Sequence, residues 1–140
     1  MKASTLFSRI LIPALLLTAF VSRPQVLAVK EKIPVIVLAN GDDGLTLRLE
    51  QQLKRGFQSS SDFLVTEKSN HRTLLVRIET NLHWKQVGDK RFAQYSVEIL
   101  NSTEKRIGES FGGCWTDQLD ECALQTLRDT RLVVSAKKFK

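Results

Sequence analysis

The sequence is poor in the residues that build metal and redox centres. Its 140 residues include two cysteines, Cys114 and Cys122, and two histidines, His71 and His83. A structural zinc site takes four ligands with clustered spacing, and these four residues show no such clustering. Redox pairs of the thioredoxin type place two residues between their cysteines, whereas Cys114 and Cys122 are separated by a longer segment. The composition therefore disfavours both zinc binding and thiol redox chemistry.

Arrangements typical of catalytic sites are also scarce. We expect no Gly-x-Ser-x-Gly nucleophile elbow, and the sequence has no His-Glu-x-x-His pair and no phosphate-binding glycine loop. Acidic neighbours such as Asp120 and Glu121 fall on the polar face of a predicted helix, which is typical of a solvated surface rather than of an acid–base pair. We therefore predict that the protein is not an enzyme and that it needs no cofactor.

Long hydrophobic runs are limited to one, Ile10 to Val21, which has twelve residues where a membrane span needs about 20. A short basic segment precedes it, and Ser22 to Ala28 follows it with small residues at the third-last and last positions. This pattern predicts a signal peptide over residues 1–28, cleaved after Ala28. We expect a periplasmic or secreted protein. No cysteine follows the run, so we do not expect a lipid anchor.

Removal of this leader lowers the net charge, because it carries three basic residues and no acidic one. The charge falls from +6 to +3, and a concentrated basic stripe is missing. We therefore expect no nucleic-acid partner, while an envelope protein or an anionic envelope polymer stays possible. Residues 29–140 contain no repeat or low-complexity linker, and they have the length of one domain.

The patterning predicts a strand, a helix, a strand meander and a second helix. Leu45, Leu49, Leu53 and Phe57 recur at helical spacing, and a second helix is expected from Asp117 to about Thr130, with Thr116 as its N-cap. Alternating or apolar runs predict strands at 32–39, 62–67, 73–80, 92–100 and 106–111. The tail from residue 131 fits a strand or a helix equally well.

This order of elements predicts an α+β fold, a two-layer sandwich in which two amphipathic helices cover one face of a mainly antiparallel sheet. In its pattern it resembles the small periplasmic domains of cell-envelope proteins, such as the amino-terminal domain of TolB and some activators of peptidoglycan synthases. The resemblance covers most of residues 33–130. It implies a non-catalytic envelope component by analogy of fold.

Three stretches hold candidate functional residues. In an exported protein, Cys114 and Cys122 are expected to form a disulfide. Asp42 and Asp43 could bind a hard cation, although capping of the first helix explains them without a ligand. The third stretch joins two strands and combines aromatic and basic side chains in a composition common at contact surfaces. Its candidates are His83, Trp84, Lys85, Lys90 and Arg91.

These features lead to three hypotheses about function. The first is an exported, soluble, non-catalytic module that binds an envelope component through the stretch around Trp84. The second is a secreted inhibitor of a lytic enzyme or protease, and the third is a small metal-dependent hydrolase that uses Asp42 and Asp43. No motif in the sequence fixes one of them.

Overall fold

The computed structural model describes residues 30–136. Its elements in chain order are β1 (Ile33–Ala39), α1 (Gly44–Gln58), β2 (Phe63–Val65), β3 (Leu74–Ile78), β4 (His83–Val87), β5 (Lys90–Leu100), β6 (Arg106–Trp115) and α2 (Leu119–Ala136). The expected signal peptide lies outside the described residues and stays a prediction. Within residues 30–136, neither helix has the length and apolar character needed to cross a membrane.

The six strands form one mixed sheet. β1 lies inside it and pairs in parallel with β2 on one side and β3 on the other. β3 and β4 pair antiparallel with different parts of one edge of β5, and β6 pairs antiparallel with the other edge. The parallel pairs were not expected. The β1–β2 pair follows from the β1–α1–β2 crossover, which returns the chain in the same direction.

Both helices pack on one face of the sheet, which confirms the predicted α+β two-layer architecture. Alternate side chains of the strands point toward the helices, and α1 contributes Leu49, Leu53 and Phe57 to the same cluster. The Phe57 ring lies edge-on to Phe63 of β2, with 5.1 Å between the ring centroids. One hydrophobic core therefore joins the first helix to the edge of the sheet.

The second helix begins later and ends later than its pattern predicts. Thr116 is not its N-cap, because the amide of Gln118 donates to the Trp115 carbonyl at 2.8 Å and closes a turn before the helix starts at Leu119. Residues 131–136 continue the helix, and residues 137–140 lie outside the described part. Val133 packs directly on Gly108 of β6, where a Cβ atom would overlap a Val133 methyl group.

The uncovered face of the sheet carries a row of paired charges. An Arg77 nitrogen lies 2.8 Å from a Glu98 oxygen, and an Arg106 nitrogen lies 3.7 Å from the other Glu98 oxygen. Burial raises the pKa of Glu98, but the hydrogen bond from Arg77 and the two positive charges more than offset this effect. The pKa of Glu98 consequently lies below its ordinary value of 4.5.

We expect this row of ion pairs to make the free energy of unfolding depend on pH in the acidic range. Because the pKa of Glu98 is lower in the folded than in the unfolded chain, its contribution is complete above the ordinary value of 4.5 and is lost as the pH falls through the folded pKa. Glu98→Gln should therefore flatten part of the fall in unfolding free energy below that pH, as measured by urea denaturation. The same pH dependence in both proteins would contradict the assignment.

Candidate functional site

The candidate site lies on a two-stranded ribbon formed by β4 and the first half of β5. Every residue of β4 is exposed, and it pairs with Lys90–Gln94 of β5. Gly88 and Asp89 connect the strands, and Gly88 has a φ of 64°. A glycine with positive φ at the first central position is typical of a tight type II′ hairpin turn. The stretch expected to be a projecting hairpin around a Gly88–Asp89 turn is thus an ordered ribbon, which we call the β4–β5 ribbon.

The ribbon distributes the five predicted contact residues over two faces. Residues directly opposite each other in an antiparallel pair share a face. Trp84 is opposite Ala93, which belongs to the core, so Trp84 lies on the side of the helices, and the Gln86–Arg91 pair places Arg91 on that side too. His83, Lys85 and Lys90 lie on the opposite side. The structure therefore does not bring all five residues together.

On the side of the helices, Trp84 and Arg91 border a small cavity. The Arg91 guanidinium lies 5.2 Å from the centroid of the Trp84 ring, within the range of a cation–π contact. A cavity of about 210 Å³ is lined by these two residues with Leu45, Arg48 and Thr116. Arg48 donates to the Thr116 carbonyl at 3.3 Å. Two guanidinium groups beside an exposed indole suit an anionic or carbonyl-rich group.

The opposite side of the ribbon is organised around Trp115 of β6. Its ring packs edge-on against Phe92 at 5.3 Å, and the Lys90 ammonium lies 5.9 Å from its centroid. The Phe92 ring lies across Gly113, where a Cβ atom would approach it to 2.5 Å. These contacts hold Phe92 and Trp115 in the sheet. Trp84 is the more exposed of the two tryptophans.

Asp42 and Asp43 are used in the structure of the first helix. Asp43 is the N-cap of α1 and accepts hydrogen bonds from the amides of Leu45 and Thr46 at 2.9 and 3.0 Å, and from the Thr46 hydroxyl. Burial raises the pKa of Asp43, but these hydrogen bonds outweigh it and leave the pKa below its ordinary value. Asp42 bonds to Asn81, which precedes the ribbon. The capping interpretation is confirmed for Asp43.

The Asp43 cap contributes measurably to the free energy of unfolding. Asp43→Ala should lower the free energy of unfolding by about 1 kcal/mol, because the amides of Leu45 and Thr46 lose their acceptor. Asp42→Ala should have a smaller effect, since Asp42 caps no helix amide, and thermal melts of both variants provide the comparison. Addition of Mg²⁺ or Ca²⁺ should leave the wild-type melting temperature unchanged. A larger loss for Asp42→Ala, or a rise on adding either ion, would contradict this account.

The two cysteines form the predicted disulfide, with their Cα atoms 5.8 Å apart. Cys114 lies in β6 and Cys122 in the first turns of α2, and both are buried in the core. The bond ties the last strand to the second helix, and neither cysteine lines the cavity beside Trp84. Within residues 30–136, no three His, Cys, Asp or Glu side chains are arranged to hold a metal ion.

Sequence reasoning overlooked one catalytic pattern. Residues 108–112 read Gly-Glu-Ser-Phe-Gly, which matches the Gly-x-Ser-x-Gly nucleophile elbow. An elbow requires a sharp turn between a strand and a helix, whereas Ser110 lies inside β6 and is 1% exposed. Its hydroxyl donates to Asp129 at 2.7 Å. The match is a structural part of the β6–α2 contact and not a nucleophile.

Comparison with solved structures shows where this fold recurs. The chain is similar to a minor lipoprotein from Acinetobacter baumannii, with a TM-score of 0.53 and 11% identity over 70% of this chain and 90% of that one. It is also similar to an uncharacterised lipoprotein B from Nitrosomonas europaea, with a TM-score of 0.50 and 15% identity over 77% and 89% of the two chains. No family model and no curated protein matches the sequence. At these identities the likeness concerns the fold, which occurs in bacterial lipoproteins.

Proposed function

We propose that this chain is an exported, non-catalytic module of the bacterial cell envelope that binds another envelope component through Trp84 and Arg91. The observation that carries the proposal is the exposure of Trp84, which is 53% accessible on an ordered ribbon with a guanidinium against its ring. Tryptophan and arginine dominate the energetic centres of interfaces. Because the contact with Arg91 already holds the Trp84 side chain in the free protein, Trp84 also loses little conformational entropy on binding.

Three features support the envelope location. The leader pattern at residues 1–28 predicts export, and a disulfide suits an oxidising compartment. The two similar structures are of bacterial lipoproteins. The resemblance to TolB-type domains belongs to this proposal as well. The partner would be an envelope protein or an anionic envelope polymer, since Arg48 and Arg91 offer positive charge at the cavity.

A pull-down from an envelope extract of the native host tests this proposal. Wild-type protein should retain a partner, and Trp84→Ala should weaken binding at least about thirtyfold, the effect of removing a dominant interface residue. Val87→Ala is the matched control. Val87 is also an exposed apolar residue of β4, but it lies on the other face of the ribbon. Equal retention of the partner by both variants would refute the proposed surface.

A second candidate function is inhibition of a lytic enzyme or a protease. The exposed β4 strand and its tight turn at Gly88 favour it, because an ordered projecting ribbon can enter an active site with little change of shape. Inhibition of a lysozyme or protease that is lost in Trp84→Ala or in a variant of the turn would select this function over the first. The metal-dependent hydrolase gains no support, because the carboxylate of Asp43 is engaged in the helix cap.

A further inference from the structure

The outer edge of β6 exposes backbone hydrogen-bonding groups. β6 pairs with β5 along one edge, and no strand of the described residues pairs with its other edge. The amide of Thr116 donates to the carbonyl of Arg91 directly across the ladder at 3.0 Å. Antiparallel ladders alternate between bonded and non-bonded pairs, so the backbone groups of Glu109, Phe111 and Gly113 point outward.

This edge lacks the usual protection against pairing. In native proteins, lysines, prolines or bulges keep edge strands from pairing with another chain. The bulge of β6 lies at its beginning, near Arg106. The following stretch, Glu109 to Trp115, contains neither lysine nor proline and includes two adjacent glycines. Phe111 is 74% exposed, the highest value among the exposed large hydrophobic residues of the described chain.

We propose that β6 pairs with β6 of a second copy of this chain about a twofold axis at Phe111, joining two sheets into one. In this register Phe111 faces its own counterpart, which buries the most exposed aromatic ring in a cross-strand pair. Glu109 of each copy faces Gly113 of the other. No like charges are opposed, and the outward backbone groups of all three residues gain partners.

The second helix places polar side chains close to the same axis. α2 runs antiparallel to β6. Its beginning is bonded to the end of β6 through Cys122 and Cys114, and near its end Val133 packs on Gly108 near the beginning of β6. Glu121, Gln125 and Arg128 share one face of α2 by their spacing, and all three line a groove beside the exposed edge. An axis at Phe111 passes near Gln125 and Arg128, because Ser110 contacts Thr126 and Asp129.

The groove is incomplete in a single chain. It has a volume of about 510 Å³ and is bordered by Gly112, Gly113 and Tyr95 on the sheet and by α2 on the other side. The Tyr95 hydroxyl is buried and has no hydrogen-bond partner among the described residues. A buried polar group without a partner is costly. The apposed edge and helix of a second copy would fill this space.

The mass of the purified protein in solution, measured by sedimentation equilibrium over a range of concentrations, tests the pairing. Wild type should be a dimer, and Phe111→Lys should raise the dissociation constant at least about thirtyfold while its circular dichroism and melting temperature as a monomer stay native-like. Leu64→Lys is the control, because Leu64 is 54% exposed but lies in β2 at the opposite edge. It should remain dimeric. A wild type that is monomeric at every concentration, or equal dissociation of both variants, would overturn the proposal.

None of the residues in the proposed strand pairing lines the Trp84 cavity, so loss of dimerisation should leave the pull-down result unaffected.

Discussion

Replacing Phe57 by alanine should lower the free energy of unfolding by about 3 to 5 kcal/mol, the usual cost of deleting a buried aromatic ring. The ring is fully buried and packs edge-on against Phe63, with 5.1 Å between the centroids. Its loss removes the contact that holds the end of α1 to β2 and leaves a cavity in the core. Urea denaturation monitored by circular dichroism measures the effect.

Leu47 provides the matched control on the same helix. It lies on the solvent side of α1 and is 41% exposed, so that Leu47→Ala should cost less than about 1 kcal/mol. The contrast isolates burial from helix propensity, since both substitutions introduce alanine into α1. Equal losses for the two variants would show that α1 does not pack on the sheet as described.

Reduction of the Cys114–Cys122 disulfide should lower the free energy of unfolding by about 2 to 3 kcal/mol. The bond closes a loop with a sequence separation of 8, and the chain-entropy relation for a loop of this length gives about 2.5 kcal/mol. For a domain of this size the change corresponds to a fall of about 10 °C in melting temperature. Thiol titration should find no free thiol before reduction.

The double variant Cys114→Ser and Cys122→Ser should show the same loss of stability without reductant and no further loss with it. Its pull-down behaviour should match wild type, because neither cysteine lines the Trp84 cavity. Two titratable thiols in the oxidised protein would refute the bond. Loss of partner binding with unchanged stability would instead move the functional site to the cysteines.

Elements with one buried face could be predicted from the sequence, and elements without one could not. The leucine stripe of α1 and the alternation of β3 and β5 follow from burial on one side, so their positions were close to the structure. β4 is exposed on both faces and therefore has no hydrophobic alternation to detect. The parallel pairing of β1 with β3 is set by long-range packing, which leaves no local signal.

The same reasoning explains how far the candidate site could be predicted. Composition singled out the aromatic and basic residues of the stretch that forms the ribbon. The period of two in a strand then separates neighbours onto opposite faces, so that Trp84 and Lys85 cannot share a surface. Arg48, which borders the cavity, comes from α1, and only the tertiary structure brings it to Trp84.

Site-specific photocrosslinking in the native host tests the central claim most directly. A benzophenone amino acid at position 86 should give a discrete adduct with an envelope partner, because Gln86 is exposed on the same face of β4 as Trp84 and the substitution keeps Trp84 in place. The same probe at position 64 is the control, since Leu64 is also exposed but lies at the far edge of the sheet. We expect an adduct at 86 and none of that mass at 64. An adduct at 64 with none at 86 would contradict the proposed function.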